Sequence, residues 1–257
     1  MSPNRRSVLQ GIGVLSASAV LPAGTALADS GETAGLRVAH ASPDAPAVDV
    51  YVDGAKAVAD LEFGSVTDYL EVPTGDREIA VNVAGTETTV FGPVTVTLAA
   101  EDYSAVALGE VTSDDTTFTV SLLQDTNGAN LDDEARIRAV HASPDAPAVD
   151  VTVNDGALTV FEDLAFGESS GYAVVPAAEY NIEIRPAGGG DPVFETTATL
   201  AAGSTYTAFA EGYLTPDDEP ADESFSLLLS EDASAPPRGD GAGGPPQGVP
   251  GNGRGPN

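Results

Sequence analysis

His40-Ala41-Ser42-Pro43-Asp44-Ala45-Pro46-Ala47-Val48-Asp49-Val50 recurs without change as His141-Ala142-Ser143-Pro144-Asp145-Ala146-Pro147-Ala148-Val149-Asp150-Val151. Further matches extend outward from both copies. Leu61-Glu62-Phe63-Gly64 answers Leu164-Ala165-Phe166-Gly167, Tyr69 answers Tyr172, and Val72-Pro73 answers Val175-Pro176. Leu98-Ala99-Ala100 answers Leu200-Ala201-Ala202, Tyr103 answers Tyr206, and Ser121-Leu122-Leu123 answers Ser226-Leu227-Leu228. A spacing of about 100 residues is a duplicated domain and not a solenoid, whose units run about 20–50 residues. Each copy is long enough for a core of its own.

Inside each copy the apolar period is two. Val48, Val50 and Val52 alternate with Asp49, Tyr51 and Asp53, and Ile79, Val81 and Val83 alternate with Glu78, Ala80 and Asn82. Such alternation predicts strands with one face on a core and the other in solvent. Seven strand-like runs are expected in the first copy, near 36–41, 47–53, 66–72, 77–84, 89–98, 103–111 and 116–123, with Gly, Pro, Asp and Asn between most of them. No window reads as a long amphipathic helix. The expected fold class is all-β: two tandem immunoglobulin-like β-sandwich domains with disordered N- and C-terminal segments. Leu200-Ala201-Ala202-Gly203-Ser204-Thr205-Tyr206, and Leu98 to Tyr103 one residue shorter, have the order of a tyrosine corner, whose hydroxyl bonds back to backbone just upstream.

The ends read differently. Asn4-Arg5-Arg6-Ser7-Val8-Leu9-Gln10, an apolar stretch from Gly11 to Leu21 and Ala26-Leu27-Ala28 follow the order of a twin-arginine export signal with its cleavage site. The apolar stretch is too short to span a bilayer, and no transmembrane anchor is expected after signal removal. Fourteen of the 22 residues 236–257 are Gly or Pro, which predicts a flexible tail. Arg238-Gly239-Asp240 spells an adhesion tripeptide, which in such a tail reads as chance. The expected organisation is a signal at 1–28, repeat 1 at 35–125, a linker at 126–135, repeat 2 at 136–232 and a tail at 233–257.

Composition narrows the function. The 257 residues contain no Cys and no Trp, two His, and 40 acidic against 10 basic residues, for a net charge of −30. Without Cys there are no disulfides, thiolate metal sites or cysteine nucleophiles. The charge excludes nucleic acid as a partner bound through phosphate neutralisation. The signal carries two Arg and no acid, so its removal leaves −32 over 229 residues. At low salt this charge repels itself, whereas at molar salt the Debye length is about 3 Å and the repulsion is screened. Lys56 is the only lysine, and the acids are spread along the chain, a salt-adapted pattern of general solvation.

Few residues could carry chemistry. Pro43 and Asp44 suit the centre of a type I turn with Ser42 before them. His40 shares parity with Leu36 and Val38, and His141 with Ile137 and Ala139, which places each at the core-facing end of a strand, satisfying backbone groups. The sharper reading is a metal site from His40, Asp44 and Asp49, repeated in His141, Asp145 and Asp150. Calcium takes about 6–8 oxygens, more than one turn supplies, and Asp49 faces away from the histidine. Asp125-Thr126-Asn127-Gly128-Ala129-Asn130 starts like a calcium loop, but Ala129 and Asn130 break the pattern. Gly167-Glu168-Ser169-Ser170-Gly171 fits the G-x-S-x-G nucleophile pattern, yet no helix and no later His follow. Catalytic, cofactor-binding and metal-ligating residues are therefore all set at none.

The twofold R-x-x-H-A-S-P-D-A-P-A-V-D-V pattern from Arg37 and Arg138, with L-x-F-G and Y-x-x-V-P after it, resembles the domain of unknown function 4397 family over about residues 35–232. The resemblance implies β-rich modules of exported bacterial and archaeal proteins, often in tandem, and with the acidic composition it looks like a halophilic archaeal member. It implies no activity and transfers no catalytic residue. The resulting expectation is an exported, non-enzymatic interaction module of the extracellular space or cell envelope, with an envelope or extracellular component as partner and no cofactor. The alternatives are a secreted hydrolase acting on polysaccharide and a calcium-dependent adhesin.

Overall fold

The computed structural model describes residues 31–113, 115–127 and 131–233. The expected export signal, nearly all of the expected tail with its Arg238-Gly239-Asp240, and Gly128, Ala129 and Asn130 of the expected linker lie outside the described residues.

The first copy runs β1 (Thr33–His40), β2 (Val48–Val52), β3 (Ala55–Leu61), β4 (Ser65–Val66), β5 (Leu70–Pro73), β6 (Gly75–Val83), β7 (Thr89–Leu98), β8 (Asp102–Leu108) and β9 (Thr119–Asp125). The second runs β10 (Glu134–His141), β11 (Val149–Val153), β12 (Leu158–Leu164), β13 (Ala173–Pro176), β14 (Ala178–Pro186), β15 (Phe194–Leu200), β16 (Thr205–Glu211) and β17 (Ser226–Ala233). One short 3-10 turn, Pro216–Asp218, precedes β17. Each copy is a two-sheet sandwich. Its inner sheet has the order β4-β1-β8-β9, with β5 also on β1, or β13-β10-β16-β17; its outer sheet has the order β3-β2-β6-β7 or β12-β11-β14-β15. All pairings are antiparallel except β1 with β8 and β10 with β16, which are parallel.

The chain thus forms two tandem immunoglobulin-like sandwiches, but the strand count differs from seven. The expected run at 66–72 is split into β4 and β5, both on β1. β3 was not expected, because Ala-Lys-Ala-Val-Ala-Asp is poor in β formers. A turn makes it: Asp53 and Gly54 both have positive φ (50° and 76°) between paired Val52 and Ala55, a two-residue hairpin loop of the type that Asp-Gly favours. The tyrosine corners form as expected. The Tyr103 hydroxyl accepts from Ala99 N at 3.2 Å, and the Tyr206 hydroxyl accepts from Ala201 N at 3.1 Å.

Where the alternation rule fails is in the inner sheets. Leu36 and Val38 of β1, with Ala105 and Ala107 of β8, pack inward against Val48 and Ile79. Their neighbours of opposite parity, expected in solvent, are buried as well. Arg37, Ala39, Ser104 and Val106 are all 1% exposed or less. They are covered by the other copy: Ala39, Ala41, Val106 and Leu108 form one apolar cluster with Val140 and Phe209. The described residues from 31 to 233 accordingly make one compact unit. Strands buried on both faces read as near-continuous apolar or small runs, which is what Val38-Ala39 and Ala105-Val106-Ala107-Leu108 are.

Gly109 and Gly212 end β8 and β16 with φ of 86° and 81°. A Cβ on Gly212 would lie 2.4 Å from Ser224 O, and one on Gly109 would lie 2.3 Å from Thr117 O. Gly212→Ala is therefore expected to combine backbone strain with a backbone clash and to cost more than about 3 kcal/mol, read as a lowered denaturation midpoint.

Candidate functional site

The duplicated loop links the two sheets of each sandwich, from the end of β1 to the start of β2. His40 Nε2 donates to Pro46 O at 3.1 Å, and Nδ1 accepts from Ser42 N at 3.4 Å. His141 repeats both contacts with Pro147 at 2.9 Å and Ser143 at 3.3 Å. Each ring is buried and meets Phe63 or Phe166 edge-on. Burial lowers both histidine pKa values, against a smaller opposite effect of the Pro46 or Pro147 carbonyl. Neutral imidazoles with one nitrogen donating and one accepting are thereby fixed.

The other polar residues of the loop are engaged in the same way. Ser42 and Ser143 donate to Gly109 O and Gly212 O at 2.5 and 2.6 Å. Asp44 accepts from Val111 N at 2.9 Å and from Thr112 N and Oγ1 at 2.7 and 2.6 Å. Asp145 accepts from Leu214 N at 2.9 Å and from Thr215 N and Oγ1 at 2.8 and 2.9 Å. The loop is thus tied to the end of the parallel partner strand. Gly64 N and Gly167 N donate to His40 O and His141 O, which brings the L-x-F-G motif into the same network.

Asp49 was expected on the solvent face, away from His40. It does not join His40 and Asp44, but it is only 2% exposed, because Lys56 and the Gly85 turn close over it. It pairs with Lys56 Nζ at 2.5 Å and accepts from Asp60 N and Gly85 N, both at 3.0 Å. The Lys56 ammonium, with those two amides, lowers its pKa to about 2. Asp150 accepts from Asp163 N at 2.8 Å and Gly188 N at 3.1 Å. Both aspartates sit beside β-bulges in their hairpins, and each takes up one amide, of Asp60 or of Asp163, that the irregular register leaves over. No group of three or more His, Asp or Glu among the described residues could hold a metal ion. Ser169 of the G-x-S-x-G match bridges to Val140 in a strand-like contact, and no helix follows it.

What sequence reasoning missed is the charge cluster between the copies. Arg37 Nε donates to Ser104 Oγ of its own repeat at 2.7 Å, and its Nη2 reaches Thr207 Oγ1 at 3.2 Å and Asp232 Oδ1 at 2.5 Å in the other. Arg138 mirrors it. Nε donates to its own Thr207 at 2.9 Å, and Nη2 donates to Ser104 at 3.2 Å and to Asp125 of the other repeat. Within each repeat a tyrosine adds a donor to the carboxylate: Tyr69 donates to Asp125 at 2.5 Å and Tyr172 to Asp232 at 2.8 Å. Arg37 has a raised pKa: burial opposes its charge, but Asp232 and its other neighbours outweigh that. Burial raises the pKa of both tyrosines, with the carboxylates adding to it. Asp125, read from sequence as the first residue of a failed calcium loop, is an interface anchor. The available signal was an arginine in the middle of an apolar run at equivalent positions in both copies.

The profile of the family described as domain of unknown function DUF4397 matches residues 34–152 and again 137–242. The chain belongs to that family, in two tandem copies. No curated protein matches it significantly. Among solved structures, a family 26 carbohydrate-binding module from Eubacterium rectale in complex with maltoheptaose is similar at 11% identity and TM-score 0.24, covering 77% of this chain and 97% of that one. An alpha-glucan-binding streptococcal virulence factor shows 11% identity and TM-score 0.24, covering 76% of this chain and 95% of that one. A leucine-rich repeat protein from Bacteroides thetaiotaomicron shows 13% identity and TM-score 0.19, covering 71% and 26%. Scores this low carry no argument about ligand.

The two DUF4397 copies diverge at one sandwich edge. In repeat 2 a narrow apolar slot opens between β12 and β13, lined by Ile137, Val153, Leu158, Phe161, Val175 and Ile182. Leu158 on its lip is 53% exposed. The same edge of repeat 1 also carries a cleft, but a more polar one, where Asp53, Lys56 and Glu71 join Val52, Leu70 and Val72 in the lining.

Proposed function

We propose that this protein is an exported, non-catalytic interaction module that acts in the extracellular space or at the cell envelope. The observation that carries the reading is the engagement of the duplicated motif. Its histidines, serines and aspartates all bond within the fold, most of them to backbone, and its arginines are buried in the ion pairs between the repeats. Groups saturated in this way hold loops and strands in place; a general base or a nucleophile needs a free lone pair facing a cleft. The twin-arginine pattern at Arg5-Arg6 supports export in the folded state, and the acidic balance supports a salt-rich exterior. No helix among the described residues is long and apolar enough to cross a membrane.

Co-sedimentation of residues 29–257 with isolated cell envelopes in molar salt tests this. Saturable retention is the expected result. Absence of retention, together with release of reducing sugar from envelope polysaccharide, would replace the module by the hydrolase alternative. Calcium against chelator at fixed ionic strength is expected to leave Tm unchanged, and a Tm raised by calcium would favour the adhesin alternative.

A further inference from the structure

The contacts between the repeats come in exchanged pairs. Arg37 bonds to Asp232 as Arg138 does to Asp125, and Arg37 Nη2 to Thr207 as Arg138 Nη2 to Ser104. Gly64 of repeat 1 lies under Glu211, and its equivalent Gly167 lies under Leu108, the residue equivalent to Glu211. A surface on which i meets j and j meets i is isologous, the arrangement found in twofold homodimers. The inner-sheet face is therefore built to meet a second face of its own kind.

One contact breaks the exchange. Glu110 and Tyr213 follow Gly109 and Gly212 and occupy equivalent places, and they bond to each other: Tyr213 Oη donates to Glu110 Oε1 at 2.9 Å. Glu110 is 3% exposed and Tyr213 fully buried, and the second Glu110 oxygen accepts from Thr116 Oγ1 at 2.8 Å. Two first repeats facing each other would set Glu110 against Glu110, a buried like-charge pair without a donor between them. Two second repeats would set Tyr213 against Tyr213, remove the carboxylate acceptor and bury two copies of Glu211 in place of one.

We infer that this face is an association surface whose partner is another repeat of the same type, and that the Glu110–Tyr213 pair restricts it to the unlike repeat. The covalent link between the copies is then not what holds them together. Like-charge juxtaposition rejects wrong partners more strongly than it strengthens the right one.

The test begins with the full chain carrying a protease site at residues 128–130. After cleavage, native mass spectrometry at micromolar concentration is expected to show the two fragments as one 1:1 species. Isotopically distinguished fragments, released in denaturant and refolded together, are expected to return as pairs of repeat 1 with repeat 2 and with fewer than about one like pair in ten. Glu110→Gln, which keeps the shape and can bond to its own copy, is expected to bring like pairs of repeat 1 to a comparable share. Fragments that separate on cleavage, or that refold into no pair, would overturn the association surface. Like pairs as frequent as unlike ones with Glu110 in place, or an unchanged distribution with Glu110→Gln, would overturn its selectivity.

Discussion

Arg37→Ala is expected to destabilise the folded chain by about 3–5 kcal/mol, the cost of removing one partner of a buried ion pair. Arg37 is 1% exposed, and its guanidinium is the counter-charge within reach of the Asp232 carboxylate. The variant leaves that carboxylate buried with only the Tyr172 and Thr207 hydroxyls as donors. Asp125 keeps Arg138 and loses only the more distant Arg37 Nε, 3.6 Å away, so most of the loss falls on Asp232. Arg37→Met, which retains most of the volume, separates charge from packing and is expected to cost nearly as much. Arg37→Met combined with Asp232→Leu should cost less than the sum of the two single changes, because the uncompensated charge is gone. Denaturant unfolding in fixed molar salt reads all of these. Raising the salt further should not change the difference between Arg37→Met and wild type, since a pair shielded from solvent is little screened.

Glu211→Gln is expected to act in the opposite direction, and only above mild acidity. Glu211 ends β16, is 2% exposed, and has a pKa raised to about 8, first by burial and then by the Glu223 carboxylate. The folded state holds the proton more tightly than the unfolded chain, where a glutamate has a pKa of about 4.3. The stability that this residue contributes is therefore present below about pH 4.3, declines as pH rises, and is lost above about 8. Each tenfold difference in proton affinity between the two states is worth about 1.4 kcal/mol, so the whole effect is several kcal/mol. The difference between Glu211→Gln and wild type isolates it from the other carboxylates. Stabilisation by the variant should be near zero at pH 4, grow through pH 6 and 7, and level off above pH 8. A difference independent of pH would mean that the residue is ionised and solvated in the fold.

The central strands of the outer sheets were readable because they obey one rule. Val48 and Val50, like Ile79 and Val81, point into a core, as the alternation requires. The corners at Tyr103 and Tyr206 were legible for a related reason: each is a local contact whose partners lie four or five residues apart. The second face of the inner sheets was not, because it answers to residues of the other repeat, 13 to 195 positions away. Arg37 and Asp232 are 195 residues apart. No local period encodes that distance, and a charged residue at a solvent-parity position reads as solvent-facing until its partner is known. The duplicated motif raised the same difficulty in milder form. His40, Asp44 and Asp49 share a short stretch, but they serve a loop carbonyl, the end of β8 and a bulge. Strand parity already placed the histidines on backbone groups, whereas the partners of Asp44 and Asp49 appear only in the fold.

Arg37, Arg138, Asp125 and Asp232 form the face through which the two DUF4397 repeats become one folded body. Differential scanning calorimetry of residues 29–257 in molar salt tests that most directly. One transition is predicted, with calorimetric and van't Hoff enthalpies equal, and Arg37→Ala should move the whole transition down in temperature. Two resolved transitions, with one of them unmoved by Arg37→Ala, would contradict it.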